Sequence, residues 1–239
     1  PSKHSALEKK LNLKGAEVSR HLKRLQNLKF ITKNHNNEYQ ITPFGKIICS
    51  TAPIFENAVK IVDFINNHTI DSIPFDYFTR ILAIENIELK ESTMENITLW
   101  SELIANAEKS VICLTDQILP TLIPLILKKF AENPEFMIQS IIGKKLLSEF
   151  KLPKNPDYNS EKVMKIINFF ENVRFSADHD IAIIVTEKAA LLFLKSQKTI
   201  DYSQALYSKD QKFIQIVNEI FKYQWNKANE IPKTFNKKQ

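Results

Sequence analysis

Between Ala16 and Leu28 the run AEVSRHLKRLQNL repeats apolar groups at Val18, His21/Leu22, Leu25 and Leu28. That i, i+4, i+7, i+10 spacing predicts a helix with one apolar face. The opposite face carries Ser19, Arg20, Lys23, Arg24 and Asn27. Such an element must pack on one side and meet solvent or a partner on the other. Residues 5–12 predict a shorter amphipathic helix, with Ala6, Leu7 and Leu11 on its apolar side. Leu13, Lys14 and Gly15 supply the turn between the two. Residues 29–33 and 38–42 alternate and are β-branched or aromatic, with His35-Asn36-Asn37 between them, which predicts a hairpin. Pro43 and Gly45 punctuate its exit.

Helix, turn, helix, hairpin is the order of a winged helix-turn-helix. Charge follows the same boundary. Residues 1–48 hold ten Lys and Arg against Glu8, Glu17 and Glu38, a balance of +7, and the remaining 191 residues carry −1. A basic head on a near-neutral body suits a polyanion. A helix fits the major groove of duplex DNA, and its N-terminal residues approach base edges. The candidate DNA-facing positions are Lys14, Ala16, Ser19, Arg20, Lys23 and Arg24. Lys33, His35 and Asn37 are the candidate wing contacts. Val18, Leu22 and Leu25 are expected to serve the core, with His21 partly buried and hydrogen-bonded. Two other readings of the basic face remain: it is only solvated, or the module docks on a protein.

Further along, residues 44–67 are helical in pattern, with Pro53 as a break or as the start of a second helix. Ile54/Phe55, Ala58, Ile61/Val62 and Ile65 make an apolar stripe that needs a partner, on the same chain or on a second copy. A homodimer is expected; it would set two recognition helices ~34 Å apart. Residues 69–84 predict a turn, Pro74 and a short helix. Ser92 and Glu95 stand in capping-box spacing at the head of a helix over 92–107. Predicted strands at 110–114, 135–142, 172–176, 181–186 and 189–194 then alternate with helices at 120–132, 144–150 and 160–171. Ser208 and Gln211 give a second capping-box spacing before a last helix over 210–228. A Lys-rich tail, 233–239, is expected to fray. This alternation predicts an α/β layer domain. The fold class is α/β, α+β over the whole chain: a head at 1–48, a helical linker and dimerisation segment at 49–91, and an α/β sensor or assembly domain at 92–239.

The run Leu13-Lys14-Gly15-Ala16-Glu17-Val18-Ser19-Arg20-His21-Leu22-Lys23-Arg24-Leu25, with Phe30-Ile31-Thr32, Tyr39-Gln40-Ile41-Thr42-Pro43 and Gly45, resembles archaeal winged-helix transcriptional regulators of the ArsR-like kind. The body resembles the companion domain of the methanogenesis-regulator group, through Thr115-Asp116-Gln117-Ile118-Leu119-Pro120 and the aromatics Phe221, Tyr223 and Trp225. The resemblance implies DNA binding as a dimer, with a sensor or assembly domain attached. Two departures stand out. Lys14 and Gly15 replace the Ser or Thr that usually caps the recognition helix, a loss of roughly 1 kcal/mol. The chain opens on Pro1-Ser2-Lys3 where the family would be leaving its first helix, so that helix is expected to be missing from this chain.

Ligands of α/β sheets bind beyond the carboxyl ends of strands. Asp116, Gln117 and Lys144 stand there, and His179 lies in a loop between two later strands; these are the candidate effector-binding residues. The layout also resembles phospholipase D-like folds, whose chemistry needs a His, a Lys two residues on, and an Asp. The residues two beyond His4, His21, His35, His68 and His179 are Ala6, Lys23, Asn37, Ile70 and Ile181. Only His21 qualifies, and Leu28 stands where the Asp should be, so no enzyme is expected. There is no His pair at metal-ligand spacing, no nucleophile elbow and no Walker-type loop. No metal or cofactor is expected. Cys49 and Cys113 are expected to be buried structural thiols. No apolar run reaches the ~18 residues of a membrane span, and no signal-peptide start exists, so a cytoplasmic protein without membrane contact is expected. The function these readings favour is a sequence-specific transcriptional regulator that binds double-stranded DNA. A small-molecule effector or a partner protein would shift the spacing of its two heads.

Overall fold

Chain order in the first unit follows the predicted order of elements. A computed structural model describes residues 1–117, 122–133, 135–143, 172–176 and 179–230. The helices expected at 144–150 and 160–171, the Pro120 helix start, Lys144 and the tail at 233–239 lie outside the described residues. Two compact units divide the chain, Pro1–Val59 and Lys60–Gln239. The division falls between the boundaries expected at 48 and at 91.

In the first unit, α1 (His4–Leu11) leads through a left-handed Asn12 into α2 (Gly15–Asn27). The hairpin pairs β1 (Ile31–Lys33) with β2 (Tyr39–Ile41) in antiparallel register, Ile31 opposite Ile41 and Lys33 opposite Tyr39. Ser2 bridges to Tyr39 and lengthens this sheet. Then comes α3 (Pro43–Lys60). Thr42 caps it, its hydroxyl accepting from the Gly45 N–H at 2.9 Å and donating to the Lys29 carbonyl at 2.7 Å. Gly45 is obligatory here, because a Cβ would stand 2.0 Å from the Phe30 carbonyl oxygen.

Three expectations change in this unit. Val18 and Leu22 are buried, but Leu25 and Leu28 are 37% and 56% exposed. The reason is the reach of α1. It meets α2 over the first turns, where His4 touches Ser19 and Glu8 lies against Gly15, and leaves the last turn half open. His21 is exposed rather than partly buried. Pro53 does not break α3. It removes one ladder hydrogen bond while holding a helical φ, and the interruption comes at Ile61 instead, with φ −114° and ψ 27°.

The second unit opens with α4 (Val62–Asn67) and α5 (Phe75–Leu82), followed by β3 (Glu88–Lys90) and α6 (Thr93–Asn106). Ser92 caps α6 as its spacing predicts, accepting from the Glu95 N–H at 3.4 Å. Next come β4 (Ser110–Thr115), α7 (Leu122–Glu132), β5 (Met137–Gly143), β6 (Val173–Ser176), β7 (Ile181–Thr186) and β8 (Ala190–Ser196). The chain continues through β9 (Thr199–Ile200), β10 (Ala205–Ser208), α8 (Gln211–Lys227) and β11 (Asn229–Glu230). Strands β3, β9, β10 and β11 are too short to show an alternation in sequence. The second capping box does not form: Asp210 caps α8 through the Lys212 N–H at 2.7 Å, and Ser208 donates to the Asn86 carbonyl at 2.6 Å.

The described strands form one mixed sheet in the order β11-β6-β5-β4-β7-β8-β10-β3, with β9 beside β8. β4, β5 and β6 run parallel, and the other pairings are antiparallel. The class is therefore mixed α/β. On one face Trp100, Leu103 and Ile104 of α6 pack with Ala182, Ile184, Leu191 and Phe193. Residues of opposite parity, Ile183, Val185 and Leu192, turn to the other face, where α8 lies on β7 and β8 and touches α5.

Candidate nucleic-acid interface

Helix α2 displays its charged face fully. Lys14, Ala16, Ser19, Arg20, Lys23 and Arg24 are all exposed. Lys14 is the N-cap position, with φ −68° and ψ 144°, and no side chain caps the helix. The missing Ser or Thr thus leaves the start of α2 without a side-chain cap. Ser19 is less free than its spacing implies: its hydroxyl lies 2.8 Å from His4 Nε2.

The wing carries Lys33, His35 and Asn37, all exposed. Its turn is built by Asn34, a residue outside the candidate set. The Asn34 Oδ1 accepts the N–H groups of Asn36 and Glu38, both at 2.9 Å, and Asn37 takes a left-handed φ of 60°. An Asn ahead of a polar turn is the signal for this geometry. Lys33 Nζ lies 5.6 Å from the Tyr39 ring centre. Lys29, exposed at the α2–β1 junction with φ 60°, is a further cation beyond the predicted set.

The charge pairing differs sharply between the units. In the first, Glu8 faces His4 at 3.4 Å and Glu17 faces His21 at 3.9 Å. Among the described residues, none of the ten Lys and Arg of residues 1–59 has an ion-pair partner. In the second, Arg80 bonds Glu219 at 2.7 Å, Lys195 bonds Asp180 at 2.6 Å, and Lys90 bridges Glu88 and Glu95 at 2.9 and 3.1 Å. The totals agree, with ten basic against four acidic residues in the first unit and 23 against 23 in the second.

The predicted effector residues gather only in part. Gly143 ends β5, and a Cβ there would lie 3.6 Å from Asp116 Cα and 3.7 Å from His179 Nε2. Asp116 and His179 therefore converge at the carboxyl end of the parallel strands. Gln117 is exposed, and its backbone is held by the Thr115 hydroxyl, at 2.9 Å from both its N–H and its carbonyl oxygen. Lys144 lies outside the described residues. Tyr202, unforeseen in sequence, donates to Asp116 Oδ1 at 2.5 Å and lies 3.2 Å from the Thr115 hydroxyl. Burial first, and then the Asp116 carboxylate, push its phenol far above the ordinary range. Its ring stacks on Trp100, with centres 6.0 Å apart.

Cys49 is exposed, contrary to expectation, because its turn of α3 faces solvent. Among the described residues no helix is long and apolar enough to cross a membrane, and no group of three or more His, Cys, Asp or Glu side chains could hold a metal ion.

No protein-family model matches the chain, and no curated protein matches it. Among solved structures it is similar to TrmBL2, an archaeal chromatin protein with a novel mode of DNA binding, at 14% identity and a TM-score of 0.46, over 96% of this chain and 88% of that one. It is also similar to NucT from Helicobacter pylori, at 10% identity and a TM-score of 0.40, over 61% of this chain and 99% of that one.

Proposed function

We propose that this chain is a sequence-specific, DNA-binding transcriptional regulator, dimeric, with a second unit that senses an effector. One observation carries the reading: among the described residues the ten cations of the first unit have no ion-pair partner, while the second unit is balanced in charge and pairs some of its cations, Arg80, Lys90 and Lys195 among them. Cations that neutralise phosphates release condensed counterions, which is the main drive of duplex binding. Arg20, Lys23 and Arg24 stand outward on a helix of groove-filling size. The uncapped start of α2 and Lys14 suit a phosphate oxygen. Lys33, His35 and Asn37 place the wing on the adjoining backbone. The ArsR-like and methanogenesis-regulator resemblance agrees with this division of labour.

The dimer is read from α3. Phe44, Ile47, Phe55 and Val59 are at least half exposed, and their spacing puts them on one face of the helix. This replaces the stripe expected from sequence, in which Ile61 is buried. Sedimentation at micromolar concentration should show two chains; a monomer overturns this part of the reading.

Titration with random-sequence duplex at two salt concentrations tests the main claim. A steep fall of affinity with salt is expected, and salt-independent binding or none overturns it. A second reading, a protein–protein adaptor, is favoured by an apolar groove of about 310 Å³ in the first unit, lined by Leu7, Leu11, Leu25, Ile31, Tyr39 and Ile41. It is the reading left if the duplex titration fails. We read the chain as a binder rather than an enzyme, and no turnover is expected in a phosphodiesterase assay.

A further inference from the structure

At the open edge of the second unit's sheet, β3 and β10 form a cleft of about 820 Å³ with α6. Tyr207 of β10 forms part of its floor. The residue is 6% exposed and its ring belongs to the core under α6. Its hydroxyl opens into the cleft and makes no hydrogen bond among the described residues. A phenol hydroxyl at such a surface can accept from or donate to a ligand in the cleft.

Carboxylates surround it. Glu95, Leu99 and Glu102 follow each other at i, i+4 and i+7 along α6 and all line the cleft. The two Glu are therefore on one face of the helix, ~10 Å apart along its axis, with an apolar residue between them. Glu88 of β3 adds a third carboxylate, and Asp210 lies at the rim. Lys90 already bridges Glu88 and Glu95, and Lys209 is the other cation of the lining. The four acids still outnumber the two cations, and Glu102 has no ion-pair or hydrogen-bond partner among the described residues. Burial first, and then the Glu88 carboxylate, hold the phenol above its ordinary value, so its oxygen is that of a neutral hydroxyl.

Carboxylate, apolar residue, carboxylate over a free phenol is a pattern for two positive charges joined by a short methylene chain. We propose that this cleft binds a linear organic polycation of the polyamine class. Glu102 and the Glu88–Glu95 pair take the ammonium groups, Tyr207 accepts from one of them, and Leu99 packs on the methylenes. The cleft lies wholly within the second unit, so the site stands whether or not the first unit binds DNA.

The test is calorimetric titration of the full chain with spermidine, and separately with butylamine, at constant ionic strength. Saturable binding of one spermidine per chain is expected, with butylamine much weaker. Glu102→Gln should weaken spermidine about tenfold and Tyr207→Phe about fivefold. Glu132→Gln, on α7 and outside the cleft, should leave it unchanged. Circular dichroism confirms that each variant is folded. Absence of saturable heat overturns the proposal. So does equal affinity for butylamine, or a loss in Glu132→Gln that matches the loss in Glu102→Gln.

Discussion

His68 and Asp201 lie 133 positions apart in the chain, and their side chains meet at 3.2 Å, Nε2 to Oδ2. The other ring nitrogen faces the Phe64 carbonyl at 2.8 Å, and the Phe64 ring lies over the imidazole with centres 4.4 Å apart. Asp201 also accepts from the Ser203 N–H at 2.8 Å and from its hydroxyl at 2.5 Å. The contact ties α4 to the segment between β9 and β10.

Burial of Asp201 works toward a higher value, but the Ser203 hydroxyl and N–H, with His68, hold its carboxyl below the usual carboxylate range. A carboxyl depressed in the folded state adds stability that is present above its unfolded value, about 4. That stability is lost as pH falls through the folded value. Asp201→Asn should therefore cost about 1 kcal/mol at neutral pH, and the gap to the parent should close on acidification. Melting temperature against pH for both proteins checks this. A gap that stays constant down to the acid limb rejects it.

Leu22→Ala should cost about 2–3 kcal/mol in urea unfolding of the first unit, because Leu22 is buried. Leu25→Ala should cost less than about 1 kcal/mol, because its side chain is already more than a third exposed. Equal losses would mean that the end of α2 is covered in solution.

Arg20→Ala and Lys23→Ala should each lower the slope of log affinity against log salt by about 1, if each neutralises one phosphate. Duplex titrations across a salt series measure this. Unchanged slopes in both variants would remove α2 from the interface.

One thiol per native chain should react with a chromogenic disulfide reagent at neutral pH, and two after unfolding. Cys49 is exposed, whereas Cys113 is only part-buried in β4 rather than fully buried as expected, and desolvation pushes its thiol up to about 12. Thiolate is the reactive form, so Cys113 stays silent until the sheet opens. Cys49→Ser should abolish the native reaction.

Several elements follow from local sequence alone. The basic face of α2, the hairpin and the Ser92 cap depend on residues within about one helical turn or one strand of each other, and local periodicity reports them. The Asn34 turn is equally local, an Asn ahead of a polar turn. The effector residues fared differently. Asp116 and His179 come to the same end of the sheet, beside Gly143, only because β4 lies between β5 and β7, a pairing that no spacing in the chain expresses. Tyr202 reaches Asp116 from the segment between β9 and β10, 86 positions away in the chain.

Alternation of apolar and charged residues established by itself that α2 has two faces and that the body is a mixed α/β layer. It could not say how far each face would be covered. That Leu25 lies half open, that Cys49 faces solvent and that Tyr207 ends at the floor of an acidic cleft were settled only by the packing of distant elements. Periodicity is a property of neighbours along the chain, whereas burial belongs to neighbours in space.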